Sequence, residues 1–168
     1  MKLLFLGDSL VEFYDWQARF PPHTVINAGL AGETVAGLLA SLPRLLGRCP
    51  DPDRVCLMIG TNNLLMEDYA FLPDYERILA ELTTIVAPER ITITNLPPFE
   101  ADHLAPSAIP RMNAGLHQLS LTKKTAFLDL FSAFNTEAQT AAACFSDDGV
   151  HLSDLGYAIW SACLADSL

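Results

Sequence analysis

Residues 3–10 read Leu3-Leu4-Phe5-Leu6-Gly7-Asp8-Ser9-Leu10. Four apolar residues run unbroken into a Gly-Asp-Ser turn. A strand covered on both faces, as in a parallel sheet, reads this way, without polar alternation. After the turn the pattern changes period, and residues 11–20 read as a helix that stops at Pro21-Pro22. Strand, tight turn and helix make the opening unit of an α/β fold.

The same alternation continues along the chain. Short strands are expected at 24–27, 54–59, 90–94 and 125–130. Helices are expected at 34–46, 74–86, 112–121 and 153–164. Pro43 weakens the second helix near its end, and Ser153 is placed to cap the last one. Residues 97–110 form a proline-rich loop. The expectation is one α/β domain over 1–168, with a parallel sheet and helices on both faces. In such sheets ligands bind outside the carboxyl ends of the strands, so the loops after the strands carry the search for function.

Composition narrows the classes. Of 168 residues 51% are hydrophobic and 18% charged, which is globular rather than disordered. A net charge of -10 repels nucleic acid and anionic membrane surfaces. No apolar stretch is long enough to span a bilayer, and the N-terminal apolar run is too short for a signal-peptide core. A cytoplasmic protein with reduced cysteines is expected. The four cysteines have no metal-ligand spacing. Cys56 and Cys163 read as buried, whereas Cys49, in an Arg-Cys-Pro loop, reads as exposable.

Polar clusters follow four of the strands. Gly7-Asp8-Ser9 comes first, then Asn27-Ala28-Gly29-Leu30-Ala31-Gly32-Glu33-Thr34, then Gly60-Thr61-Asn62-Asn63, and finally Asp148-Gly149-Val150-His151. Each alone reads as a turn or a helix cap. Together they supply one mechanism. Ser9 needs a base to become a nucleophile, and His151 can be that base, since histidine is the side chain whose unperturbed pKa lies near neutrality. Asp148, three residues before His151, can orient its ring. The N–H groups of Ser9 and Gly32 and the Asn62 side-chain amide can meet a developing oxyanion.

These four ordered blocks, GDSL, N-x-G-x-x-G-x-T, G-x-N and D-x-x-H, resemble those of the SGNH hydrolases, also called GDSL esterases and lipases. The resemblance spans residues 7–151. It implies a flavodoxin-like three-layer α/β/α sandwich with five parallel strands. It implies Ser9, Asp148 and His151 as catalytic residues, with Ser9, Gly32 and Asn62 in the oxyanion hole. It also implies a small-molecule ester substrate, such as a short acyl ester, and no metal or organic cofactor. Asn63 stands where the family usually carries Asp, which leaves the geometry of that loop open.

The rivals are weaker. His23 lies before a strand, at the wrong edge, and His117 lies within a helix. His103, in the loop after the fourth strand, is on the right edge but has no carboxylate three residues upstream. A substrate contact remains open to it. Asp8 reads as a structural residue that bonds nearby N–H groups. Leu64, Leu65 and Met66 either line an acyl pocket or pack under the next helix. A thioesterase or a carbohydrate O-deacetylase would use the same triad. A nucleotide-binding module is disfavoured because neither G-x-G-x-x-G nor G-x-x-x-x-G-K-[ST] occurs. No G-x-S-x-G elbow marks a conventional α/β-hydrolase.

Overall fold

The computed structural model describes residues 1–135 and 141–168. Five parallel strands form one sheet: β1 (Lys2–Gly7), β2 (Thr24–Gly29), β3 (Arg54–Met58), β4 (Ile91–Thr94) and β5 (Ala126–Leu128). Their order is β2-β1-β3-β4-β5. This is the flavodoxin-like doubly wound order, and it reverses direction between β1 and β3. β1 sits centrally, with Gly7 paired to Gly29 on one side and to Met58 on the other.

The two-residue period of the strands divides the core. Leu4, Leu6, Val55, Leu57, Ile91 and Ile93 face one layer of helices. That layer contains α3 (Val35–Arg48), α5 (Leu72–Leu82) and α6 (Ala108–Lys123). Leu3, Phe5, Cys56, Met58 and Leu128 face the other. There lie α1 (Ser9–Glu12), α2 (Trp16–Arg19), α7 (Leu130–Phe134) and α8 (Asp154–Ala165). The three-layer sandwich follows from covering both faces of an apolar sheet. One further short helix, α4 (Thr61–Leu65), follows β3 at its carboxyl end. Among the described residues no helix is long and apolar enough to cross a membrane.

Several local expectations are revised. The helix expected over 11–20 is two short helices, α1 and α2. Asp8 caps α1 by accepting from Leu10 N, and Asp15 caps α2 by accepting from Ala18 N. The cap of α1 is therefore Asp8, and Ser9 is its first helical residue. Pro43 lies inside α3 without ending it, because Leu38 and Leu42 on the same helix are buried against the sheet. Helix α6 starts at Ala108, inside the segment expected to be loop, and takes Pro110 into its first turn, where Pro is tolerated. Cys49 is buried, not exposable.

Candidate active site

The site is built where β1, β2 and β3 end. β1 delivers Ser9 through the Gly7-Asp8 turn, and its side chain lies at the start of α1, with the residue 8% exposed. Beneath it Asp8 is fully buried, and its Oδ1 accepts from Leu10 N at 3.0 Å. Among the described residues neither its Oδ2 nor the neighbouring Thr61 Oγ1 makes a hydrogen bond of good geometry. Burial pushes the Asp8 carboxyl up to about 6, against the pull of the Leu10 N–H, the nearby Thr61 hydroxyl and His151.

The Asp148–His151 segment approaches from the far end of the chain. His151 Nε2 lies 3.0 Å from Ser9 Oγ, and His151 Nδ1 lies 2.6 Å from Asp148 Oδ2. A carboxylate can only accept, so Nδ1 carries the proton and Nε2 is left to accept from the serine hydroxyl. The turn is tight because Asp148 Oδ1 accepts from the backbone N–H of both Val150 and His151 at 2.9 Å. The His151 ring, these N–H groups and the Ser146 hydroxyl hold the Asp148 carboxyl well below the usual carboxylate range. Two contacts fix this segment to the rest. Tyr157 donates from its hydroxyl to Leu10 O at 3.0 Å, and Glu100 N donates to Gly149 O at 3.0 Å.

The loop after β2 brings Gly32 to the same edge. Gly32 has φ +77, in the left-handed region that favours glycine. Asn27 Oδ1 accepts from Gly29 N at 3.0 Å, while its amide donates to Val11 O, Glu12 O and Tyr14 O at 3.0, 3.2 and 3.3 Å. Gly29 has to lack a side chain, since a Cβ there would strike the backbone of Glu12. Glu12 then reaches back, and its Oε2 accepts from Ala31 N at 2.6 Å. Helix α1 and the Gly32 loop are stitched together by these bonds.

Asn62 completes the group from α4. Its side-chain amide donates to Glu33 O at 2.9 Å, which fixes its plane and leaves the second amide hydrogen unassigned to any described acceptor. Its neighbour Asn63 is nearly buried. Asn63 Oδ1 accepts from Val35 N at 2.9 Å, and its amide donates to Asp68 Oδ2 at 2.7 Å. An acceptor is thus kept at the position where the family usually has Asp. A carboxylate stands five residues on instead.

The structure therefore brings Ser9, His151 and Asp148 into one hydrogen-bonded row, with Gly32 on the loop after β2 and Asn62 at the start of α4 beside it. It does not bring His103 to the row: His103 Nε2 donates to Leu65 O at 3.0 Å. Leu64 is 0% exposed inside the core, so it offers a substrate no surface, which corrects that expectation. Leu65 is half-buried against the same core, and Met66 is 71% exposed. Phe13, which sequence reasoning passed over, is 58% exposed, with its ring 5.4 Å from the His151 ring. Glu12 and Asp68 were missed as well. Nothing in the sequence links Glu12 to Ala31, nineteen residues away. Asp68 carried a faint signal, since it accepts from Ala70 N as turn-forming aspartates do.

A hydroxyl, an imidazole and a carboxylate in series, beside backbone and amide donors at the carboxyl edge of a doubly wound sheet, form the arrangement that serine hydrolases use. The chain belongs to the GDSL-like lipase/acylhydrolase family, whose model matches residues 5–159. Among solved structures it is similar to a Streptococcus pneumonia protein named for platelet activating factor. The two share 25% identity, with a TM-score of 0.85, over 98% of this chain and 82% of the other. A lipase/acylhydrolase from Enterococcus faecalis is 19% identical, with a TM-score of 0.84, over 98% and 93% of the two chains. Axe2, an acetylxylan esterase from Geobacillus stearothermophilus, is 24% identical, with a TM-score of 0.77, over 99% and 93%. A comparison with curated proteins returned no match.

Proposed function

We propose that this chain cleaves short-acyl carboxylic esters, acetyl esters among them, through an acyl-Ser9 intermediate. The carrying observation is the row Ser9 Oγ, His151 Nε2, His151 Nδ1 and Asp148 Oδ2, with spacings of 3.0 and 2.6 Å. Ser9 Oγ attacks the ester carbonyl as His151 Nε2 takes its proton. Asp148 keeps the ring in the productive tautomer and stabilises the imidazolium. The oxyanion meets the N–H groups of Ser9 and Gly32 and the free amide hydrogen of Asn62, whose other hydrogen rests on Glu33 O. His151 returns the proton to the departing alcohol. Water, deprotonated by the same ring, then releases the acid from Ser9.

The preference for a short acyl group is supported by the ground beside Asn62. Leu64 is sealed in the core and Leu65 is half-buried, so of Leu64, Leu65 and Met66 only Met66 offers a largely exposed side chain to a longer acyl group. The test is a p-nitrophenyl ester series from acetyl to decanoyl, with acetylated xylose and an acyl thioester as comparators. The expected result is a kcat/KM that is highest at acetyl to butyryl and falls with length. His151→Ala abolishes turnover, whereas His103→Ala keeps most of it. A rate that rises steadily to decanoyl refutes the short-acyl reading.

A further inference from the structure

Away from Ser9, on the outer side of the Gly32 loop, a groove of about 340 Å³ runs between the edge strand β2 and helix α3. That lies within the range of small-ligand sites. Leu4, Ile26, Leu38 and Leu45 give it an apolar floor, and Arg44 and Arg48 line it as well. Leu30 and Glu33, from the loop that carries Gly32, line it too.

The charges are separated along its length. Glu33 lies just before the start of α3, and Arg44 and Arg48 lie in its last turns. At 1.5 Å per residue, Glu33 and Arg48 are about 20 Å apart along the axis. The two arginines are four residues apart, on one face of the helix. Among the described residues no ion pair joins either guanidinium to an acid. That is notable in a chain with 20 acids and 10 bases. The edge strand leaves the groove open, since Ile26 and Ala28 are only half-buried. An apolar floor that ends at two unpaired guanidiniums suits a ligand with one anionic head and an aliphatic tail. The head would sit at Arg44 and Arg48, and the tail would lie along Leu45, Leu38 and Ile26, short of Glu33.

We propose that this groove is a second ligand site, which binds a free medium-chain carboxylate with its head on Arg44 and Arg48 and its tail along Leu45, Leu38 and Ile26. This site is separate from Ser9.

Octanoate is the probe, with acetate as head alone and 1-octanol as tail alone, titrated calorimetrically into the wild-type chain and into Ser9→Ala. Octanoate is expected to bind more tightly than either comparator and equally well to both proteins. Arg44→Ala/Arg48→Ala is expected to weaken it at least about fivefold, since each exposed guanidinium is worth a modest factor. Ser41→Phe, which fills the groove and leaves both arginines, is expected to block it. Both variants keep wild-type p-nitrophenyl acetate turnover in the absence of octanoate. If the arginines serve only the helix dipole, melting temperature falls and octanoate binding stays unchanged, which overturns the proposal. Loss of octanoate binding on Ser9→Ala, or after phosphorylation of Ser9 by diethyl p-nitrophenyl phosphate, also overturns it, because the ligand would then occupy the catalytic centre. Binding is read without turnover, so its failure leaves the reading of Ser9 standing.

Discussion

Replacing Asn63 with the aspartate usual in the family is expected to damage this protein. Asn63 donates from its amide to Asp68 Oδ2 at 2.7 Å, and its oxygen accepts from Val35 N. Asn63→Asp keeps the acceptor but sets a second carboxylate against Asp68, in a place where residue 63 is 2% exposed. Two carboxylates at that distance do not both ionise, so the pair takes up a proton. Holding a carboxyl protonated at pH 7, three units above its ordinary range, costs about 4 kcal/mol, at about 1.36 kcal/mol per unit. That is the upper bound, and repulsion relieved by small movements brings the expectation to about 3 kcal/mol. The sign follows from linkage. The introduced group has a folded pKa above its unfolded value, so the variant matches wild type below about pH 4 and loses stability as pH rises through the folded pKa. Urea unfolding at pH 4, 5.5 and 7 measures this directly. The double variant Asn63→Asp/Asp68→Asn reverses the donor and the acceptor and is expected to recover most of the loss. A single variant as stable as wild type at pH 7 would refute the reasoning, and so would a loss independent of pH.

Two further outcomes follow from the site. Glu12→Ala frees Ala31 N–H and loosens the loop that presents Gly32. It is expected to lower kcat for p-nitrophenyl acetate about tenfold with little change in KM, whereas Glu12→Gln, which keeps an acceptor, stays within about threefold of wild type. Asp8→Asn removes a buried carboxyl whose pKa is raised from 3.8 to about 6. A raised folded pKa means stability present below about pH 4 and lost as pH rises through about 6. Chemical unfolding is therefore expected to show the variant more stable than wild type at pH 7 by up to about 3 kcal/mol, and no more stable at pH 4.

Much of the fold was legible because the strands declare themselves. Leu3 to Leu6 and the run from Val55 to Ile59 are apolar without alternation, and only two-sided burial explains that. The meeting of Ser9, His151 and Asp148 in one row was legible because the residue types and the i, i+3 spacing are chemically specific. What stayed hidden depends on contacts between distant segments. The break between α1 and α2 is set by the Asp15 cap and by Asn27 of β2, which satisfies carbonyls at the end of α1. Leu64 was ambiguous because α4 has five residues, too few for a periodic pattern to mark its buried face. Cys49 lies in a loop-like stretch, but α3 runs to Arg48, and the turn at its end carries the thiol into the core.

The central claim is that Ser9 is the nucleophile and His151 its base. Its most direct measurement is labelling by diethyl p-nitrophenyl phosphate, followed by peptide mass spectrometry. One phosphoryl group per chain on Ser9, appearing in step with loss of esterase activity and absent from Ser9→Ala and His151→Ala, is the result expected. Esterase activity that persists in Ser9→Ala, or a label on another residue that tracks inactivation, would contradict it.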